Sequence, residues 1–265
     1  MTKLEKAYIT LQRMEMRHSA SPSAVSPCMA VTVSVVYLAV MLSVPMGRLS
    51  MLLWFALYPI IASAWCGIGF GRIFLQSLYV VPLVTLIALF NPICDRTVAF
   101  TIGDVAISTG WLSFCSIIVR GLLAMQCILI LIETCGFVGI SRALRHMGVP
   151  AFLTDQLQFV YRYLSVLLLE ALSMRRAREA RGYGRKSYPI RLWGVMIGQL
   201  FLRAIDRSER INRAMQARGF TGTLPAYRSD GRQLRPADWI YGVVMCTGIV
   251  LLRIFNLSQL FTALQ

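Results

Sequence analysis

Five long apolar runs dominate this chain and restrict it to one broad class of fold. They cover residues 27–44, 51–66, 73–90, 111–132 and 239–252, the last extending past Arg253 to about residue 260. Each run approaches the roughly 20 residues that an α-helix needs to cross a bilayer. Hydrophobic residues make up 57% of the chain, whereas soluble domains hold about 45–50%. We therefore predict an all-α, polytopic helical membrane protein with about five transmembrane helices plus cytoplasmic helices.

Positive charge is concentrated between the fourth and fifth runs. Residues 171–238 hold 15 of the 27 Lys and Arg residues but 5 of the 12 Asp and Glu residues, a net charge of +10. Because basic connections stay on the cytoplasmic side of a membrane, this part is predicted to be cytoplasmic. The predicted division is a cytoplasmic tail, a four-span region, a cytoplasmic module, and a last span with an outer C-terminus: 1–24, 25–133, 134–238 and 239–265.

The basic segment contains the same phrase twice, at an offset of 37 residues. Both copies, 176–183 and 213–220, read Arg-Ala-x-x-Ala-Arg-Gly-aromatic and close a helix-favouring stretch. A capped helix end is the simpler interpretation of one copy, with glycine in the left-handed position and arginine facing the negative end of the helix dipole. Two copies indicate a common task, such as docking into a partner. The candidate docking residues are Ala180, Arg181, Gly182, Ala217, Arg218 and Gly219.

The stretch leading into the second copy has a basic face and an apolar face at helical spacing. Supporting candidates are Arg203, Arg207 and Arg210 on this basic face, together with Arg178 in the first copy. A voltage sensor would separate its arginines with apolar residues, whereas Asp206, Ser208 and Glu209 intervene here. Anionic lipid head groups would also attract this face.

A second change in character occurs at Gly136, where a short amphipathic segment replaces the fourth apolar run. After Val149-Pro150, residues 152–174 predict a long helix that is apolar enough to lie under the bilayer but too charged for a firm sixth span. Inside the fourth run, Arg120 is an isolated and costly charge. It is expected to face the bundle interior or another subunit, or to extend towards the membrane surface.

Catalytic and metal-binding patterns are not expected. The chain has no His-Glu-x-x-His sequence, and its seven cysteines are scattered without a C-x-x-C pair. Gly67, Gly69 and Gly71 are spaced as in a nucleotide-binding loop, but that loop needs a strand–turn–helix context. We therefore predict that this chain binds no metal and no cofactor.

The residues around both phrases resemble the CbiQ/EcfT family, the transmembrane T components of energy-coupling factor (ECF) transporters. The resemblance rests on Phe159-Val160-Tyr161-Arg162-Tyr163-Leu164 through Glu170, on Ala180-Arg181-Gly182, and on Leu200-Phe201-Leu202-Arg203 through Ala214-Met215-Gln216-Ala217-Arg218-Gly219-Phe220. It covers roughly residues 90–222 and is nearest to the cobalt-type CbiQ branch.

This resemblance implies a non-catalytic subunit in the plasma membrane of a prokaryote. Two coupling helices would each insert an Ala-Arg-Gly end into one of two CbiO-like ABC ATPases, which would use the ATP and magnesium. The partner for substrate binding would be a CbiM-like membrane subunit, with or without a small CbiN-like subunit. Membrane lipid is also an expected partner, and nucleic acid is not. The alternative is a membrane-anchored scaffold whose basic helices bind anionic lipid or another protein without energy coupling.

Overall fold

A computed structural model describes residues 25–45, 49–94, 98–102, 105–182, 190–220 and 236–254, together with Glu5 and Ile9. The chain forms two compact units. One combines residues 1–21 and 144–231, and the other, called the membrane unit below, combines residues 22–143 and 232–265. These junctions lie near the predicted limits of the cytoplasmic module, 134 and 238. The side of the membrane on which each segment lies stays a prediction from charge.

Within the described residues, the membrane unit is built from helices and one short hairpin. Its elements are α1 (Pro27–Leu42), α2 (Leu49–Phe55), α3 (Leu57–Trp65), α4 (Phe70–Ser77), a 3₁₀ turn (Leu78–Val80), α5 (Val81–Ala88), α6 (Phe90–Cys94), β1 (Val98–Ile102), β2 (Val105–Ser108), α7 (Thr109–His146) and α10 (Pro236–Ile254). The last three residues of α7 are counted with the other unit. Strands β1 and β2 pair antiparallel. The predicted helical membrane fold is confirmed, and the hairpin is an addition that the hydropathy pattern did not indicate.

Three helical stretches in the described part of the chain are long and apolar enough to cross a membrane: Phe70–Pro92, Gly110–His146 and Ala151–Arg181. The first two contain the third and fourth predicted spans. The third contains the helix that sequence analysis judged too charged for a firm span. Pro27–Leu42 and Met51–Trp65 are apolar but shorter. The total of about five spans stays a prediction.

Helices α1 and α10 pack in parallel. At their beginnings, the backbone N–H of Ser26 donates to Oδ1 of Asp238 at 3.1 Å. At their ends, Nη2 of Arg253 donates to the carbonyl of Ser43 at 3.1 Å. The two helices therefore begin at the same end of the membrane unit.

The core of the membrane unit is organised around Tyr37 in α1. This residue is fully buried, its ring stacks on Tyr58 at 4.1 Å, and its hydroxyl donates to the carbonyl of Phe55 at 3.1 Å. The apolar ring and its satisfied hydroxyl together attach α1 to α2 and α3, since a buried hydroxyl without an acceptor would be costly.

Helix α7 is interrupted at Gly136, where φ is 63° and ψ is 170°. The break coincides with the predicted change from an apolar to an amphipathic segment. Beyond it, Nη1 of Arg145 forms a 3.0 Å ion pair with Asp155, whose side chain is 6% exposed. This pair holds the turn that leads into α8 (Ala151–Arg181), which is followed by α9 (Ile190–Gln216).

Candidate docking site at two helix ends

Helices α8 and α9 form an antiparallel hairpin. Two contacts define it: Nη1 of Arg178 donates to the carbonyl of Leu192 at 3.4 Å, and Nη1 of Arg203 lies 3.3 Å from Oε1 of Glu170. Late residues of α8 therefore meet early residues of α9. The two Ala-Arg-Gly motifs end different helices, so they lie at opposite ends of the hairpin. Because α9 has 27 residues, that separation is about 40 Å at 1.5 Å per residue.

Glu170 joins the two helices. Its Oε1 pairs with Arg203, and its Oε2 lies 3.7 Å from Nη2 of Arg207. Arg178 also makes a hydrogen bond between the helices, so three of the four supporting arginines connect α8 with α9. Sequence analysis did not assign Glu170 to the site. The available signal was its position, since it is the single acidic residue between Asp155 and Glu179.

We expect Glu170→Gln to loosen the hairpin locally. The partner Arg203 is 56% exposed, and an exposed ion pair contributes about 0.2–1 kcal/mol. Amide hydrogens of α9 near Arg203 should therefore exchange up to about fivefold faster. Glu179→Gln is the matched control, because Glu179 pairs with Arg175 within α8. Equal exchange rates in the two variants would contradict a role for Glu170 in joining the helices.

The first motif ends α8 without a left-handed residue. Ala180 and Arg181 belong to the last helical turn and are exposed. Gly182 has φ −88° and ψ 3°, and its N–H donates to the carbonyl of Glu179 at 3.2 Å. The prediction of a left-handed Gly182 is therefore wrong. A tightened last turn with this hydrogen bond needs no positive φ.

The second motif ends α9 as predicted, with Gly219 in the left-handed region at φ 82°. The helix itself stops at Gln216, and Ala217 and Arg218 form the capping turn. The N–H of Gly219 donates to the carbonyl of Gln216 at 2.9 Å, and that of Phe220 donates to Met215 at 3.0 Å. This pair of bonds is the Schellman motif.

The two motif glycines should respond differently to alanine. Gly219→Ala places a side chain in the left-handed region and should cost about 1–2 kcal/mol. No heavy atom lies within 4 Å of a Cβ at Gly219, so the cost would come from the backbone alone. Gly182→Ala should stay within about 0.5 kcal/mol of the parent. Thermal unfolding in detergent measures the stability of both variants. Equal losses of stability would contradict the different backbone conformations of Gly182 and Gly219.

Arg181 and Arg218 are both exposed. Within the described residues, neither guanidinium has a hydrogen bond or an ion pair, and the same holds for Arg210. Other arginines of the two phrases do pair locally: Arg213 lies 3.0 Å from Glu209, and Arg176 lies 3.2 Å from Glu5. The structure thus leaves the repeated arginine of each motif available for an external partner. The exposed alanines beside them, Ala177, Ala180, Ala214 and Ala217, leave room for a close approach.

An apolar groove of about 610 Å³ lies between α8 and α9. Its apolar lining includes Phe159, Tyr163, Leu167, Ile211, Met215 and Phe220. In the described residues of α9 no side chain is buried, and Phe201 and Leu202 are 65% and 62% exposed. The hairpin therefore presents a large apolar surface next to its basic ends.

Arg120 lies in the membrane unit and does not belong to the hairpin. Its Nη2 donates to the carbonyl of Val44, beyond the end of α1, at 2.8 Å. Its Nε is buried and has no hydrogen-bond partner in the part of the chain that the structure describes.

A family model described as cobalt transport protein, CbiQ, matches residues 16–227. This chain belongs to the CbiQ family. The match includes the α8–α9 hairpin and both Ala-Arg-Gly motifs.

Characterised relatives of this CbiQ-family chain are similar over shorter stretches. The cobalt transport protein CbiQ of Salmonella typhimurium is 29% identical over 39% of this chain and 46% of its own length. The nickel permease LarQ of Lactiplantibacillus plantarum is 30% identical over 40% of this chain and 38% of its own. The energy-coupling factor transporter transmembrane protein EcfT of Thermotoga maritima is 34% identical over 36% of this chain and 36% of its own length. The matched region thus spans less than half of each relative.

Proposed function

We propose that this chain is the transmembrane coupling subunit of an ECF-type ABC importer. In this role it transmits ATP hydrolysis by partner ATPases to a separate substrate-binding membrane subunit. The observation that carries the proposal is a pair of exposed arginines, Arg181 and Arg218, at the two ends of one helical hairpin, neither of which has a partner among the described residues. The CbiQ family match and the membrane-spanning helices support the same function.

The separation of the motifs favours two partner sites. Ends about 40 Å apart are too distant for one small groove, so each end would dock into its own ATPase subunit. Arginine suits such a groove because its planar guanidinium can bind a carboxylate through two hydrogen bonds. The contacts of Glu170 with Arg203 and Arg207 would keep the two ends at a constant separation. The hairpin would then move as one body when the ATPases move.

In this proposal, the partner ATPases carry out ATP hydrolysis. The ATPases hold ATP and magnesium, and this chain hydrolyses nothing. The apolar groove and the exposed face of α9 would receive the substrate-binding subunit. The proposed cargo is cobalt or nickel ion, because the similar proteins include CbiQ and the nickel permease LarQ. A CbiM-like subunit, with or without a CbiN-like one, would select the ion.

The test is co-expression of this chain with the ABC ATPase and the CbiM-like membrane protein encoded nearest to it. We expect the ATPase to co-purify with the chain, and ATP-dependent uptake of radioactive cobalt or nickel to require all components. Cells that lack only this chain are the control. ATPase that fails to co-purify, together with unchanged uptake in the control cells, would refute the proposal. Binding to anionic vesicles without ATP-dependent uptake would favour the alternative scaffold.

A further inference from the structure

Two arginines from different helices meet at the end of α1. Arg120 of α7 donates to the carbonyl of Val44 at 2.8 Å, and Arg253 of α10 donates to the carbonyl of the preceding residue, Ser43, at 3.1 Å. Arg253 also lies 3.4 Å from the hydroxyl oxygen of Ser43. Within the described residues neither arginine has an acidic partner.

Within the described residues, the positive charge at this point is not balanced. The end of a helix carries about −0.5 of an elementary charge, while the two guanidinium groups carry +2. More than one positive charge therefore remains at this end of α1, where an anionic counter-ion would stabilise it. The hydrogen-bonding capacity is also incomplete. Nε of Arg120 and the hydroxyl of Ser116, one helical turn earlier, are buried and have no hydrogen-bond partner among the described residues.

The position of Arg120 and Arg253 relative to the bilayer indicates which anion they can reach. Helix α1 has 16 residues and α10 has 19, so they are about 24 and 28 Å long, close to the roughly 30 Å of a bilayer core. Their ends therefore lie at a membrane interface, where lipid phosphates are found. Apolar residues close in sequence to Ser43 and Arg253 are exposed: Leu42 by 62%, Val250 by 42% and Leu251 by 45%.

We propose that Arg120 and Arg253 bind the phosphodiester of an anionic phospholipid at this end of the membrane unit. Each guanidinium can offer a phosphate two parallel hydrogen bonds. A small rotation of Arg120 would turn its Nε edge towards a phosphate oxygen. The exposed leucine and valine side chains would contact the acyl chains, which a soluble phosphate lacks. The lipid would neutralise the cluster and join α7 and α10 at the end of α1.

The experiment uses the full-length protein in detergent, with thermal unfolding and native mass spectrometry as readouts. Phosphatidylglycerol is expected to bind and to raise the unfolding temperature, whereas phosphatidylcholine and inorganic phosphate should have little effect. Arg120→Gln and Arg253→Gln should each weaken phosphatidylglycerol binding about fivefold, and the double variant about 25-fold. Arg253→Lys should retain part of the affinity. The control is Arg72→Gln, an exposed arginine at the start of α4, which should bind as the parent does.

Unchanged phosphatidylglycerol binding in the double variant would overturn the proposal. An equal temperature shift from inorganic phosphate alone would also overturn it, because the site would then take a soluble anion. Should the double variant fail to fold, Arg253→Gln alone decides, since this side chain is partly exposed. It must lose affinity for phosphatidylglycerol if the proposal is correct.

Discussion

Arg181→Glu and Arg218→Glu together are expected to prevent capture of the partner ATPase while the chain stays folded in the membrane. A capping arginine at an exposed helix end contributes about 0.3–1 kcal/mol, so folding should survive the change. An arginine docked against a carboxylate is different, because truncating one partner of such a pair typically costs about 2–5 kcal/mol of binding. Each single variant should therefore weaken capture at least about 30-fold, and the double variant more.

Two further variants separate docking from general charge attraction. Arg210→Glu changes an exposed arginine of α9 that lies outside the motif and has no partner among the described residues. If the motifs dock into the ATPase, Arg210→Glu should weaken binding much less than Arg218→Glu does. If the basic face is instead attracted to anionic lipid, the two variants should lose similar binding free energies, about 1 kcal/mol for each charge. Arg228→Glu, beyond the second motif and outside the described residues, is a further control. Lysine at 181 or 218 should restore capture only partly, since it lacks the planar fork.

The measurement is co-purification of the ATPase with each variant, accompanied by ion uptake. Parental capture and uptake in the double variant would reduce the repeated phrase to helix capping. The coupling hypothesis would then be wrong.

Asp238→Ala is expected to destabilise the membrane unit by about 2–4 kcal/mol. Asp238 is 1% exposed and accepts the N–H of Ser26 at 3.1 Å. It lies in the first turn of α10 and beside the beginning of α1, so one carboxylate faces the positive ends of two helices. Its removal would cost a hydrogen bond to a charged acceptor, worth about 1.5–3 kcal/mol, and leave a buried donor unsatisfied.

Thermal unfolding of the purified protein in detergent measures this effect. Asp238→Asn keeps an acceptor and should lose less than the alanine variant. Asp206→Ala is the control, since Asp206 is exposed on α9 and has no ion pair among the described residues. An alanine variant at 238 as stable as the control would show that the α1–α10 contact does not depend on this carboxylate.

Local sequence determined much of the fold. Runs of apolar residues predicted the helical membrane protein, since backbone groups in lipid must be satisfied within a helix. The change of pattern at Gly136 coincides with the break in α7, and the sequence Ala217-Arg218-Gly219 predicted the left-handed end of α9. The repeated phrase also identified both candidate docking arginines, because helix-end signals depend on a few neighbouring residues.

Tertiary structure alone decided which arginines have partners among the described residues. Arg203 and Arg218 share a helical face in sequence, yet Arg203 pairs with Glu170, 33 residues away, and Arg218 has no partner within the described chain. Asp238 meets Ser26 across 212 residues, and Arg253 meets Ser43 across 210. Even Gly182, which occupies the same place in the phrase as Gly219, adopts a different backbone conformation. Hydrophobic periodicity specifies which face of a helix is apolar, but the packing of distant helices determines which charges meet.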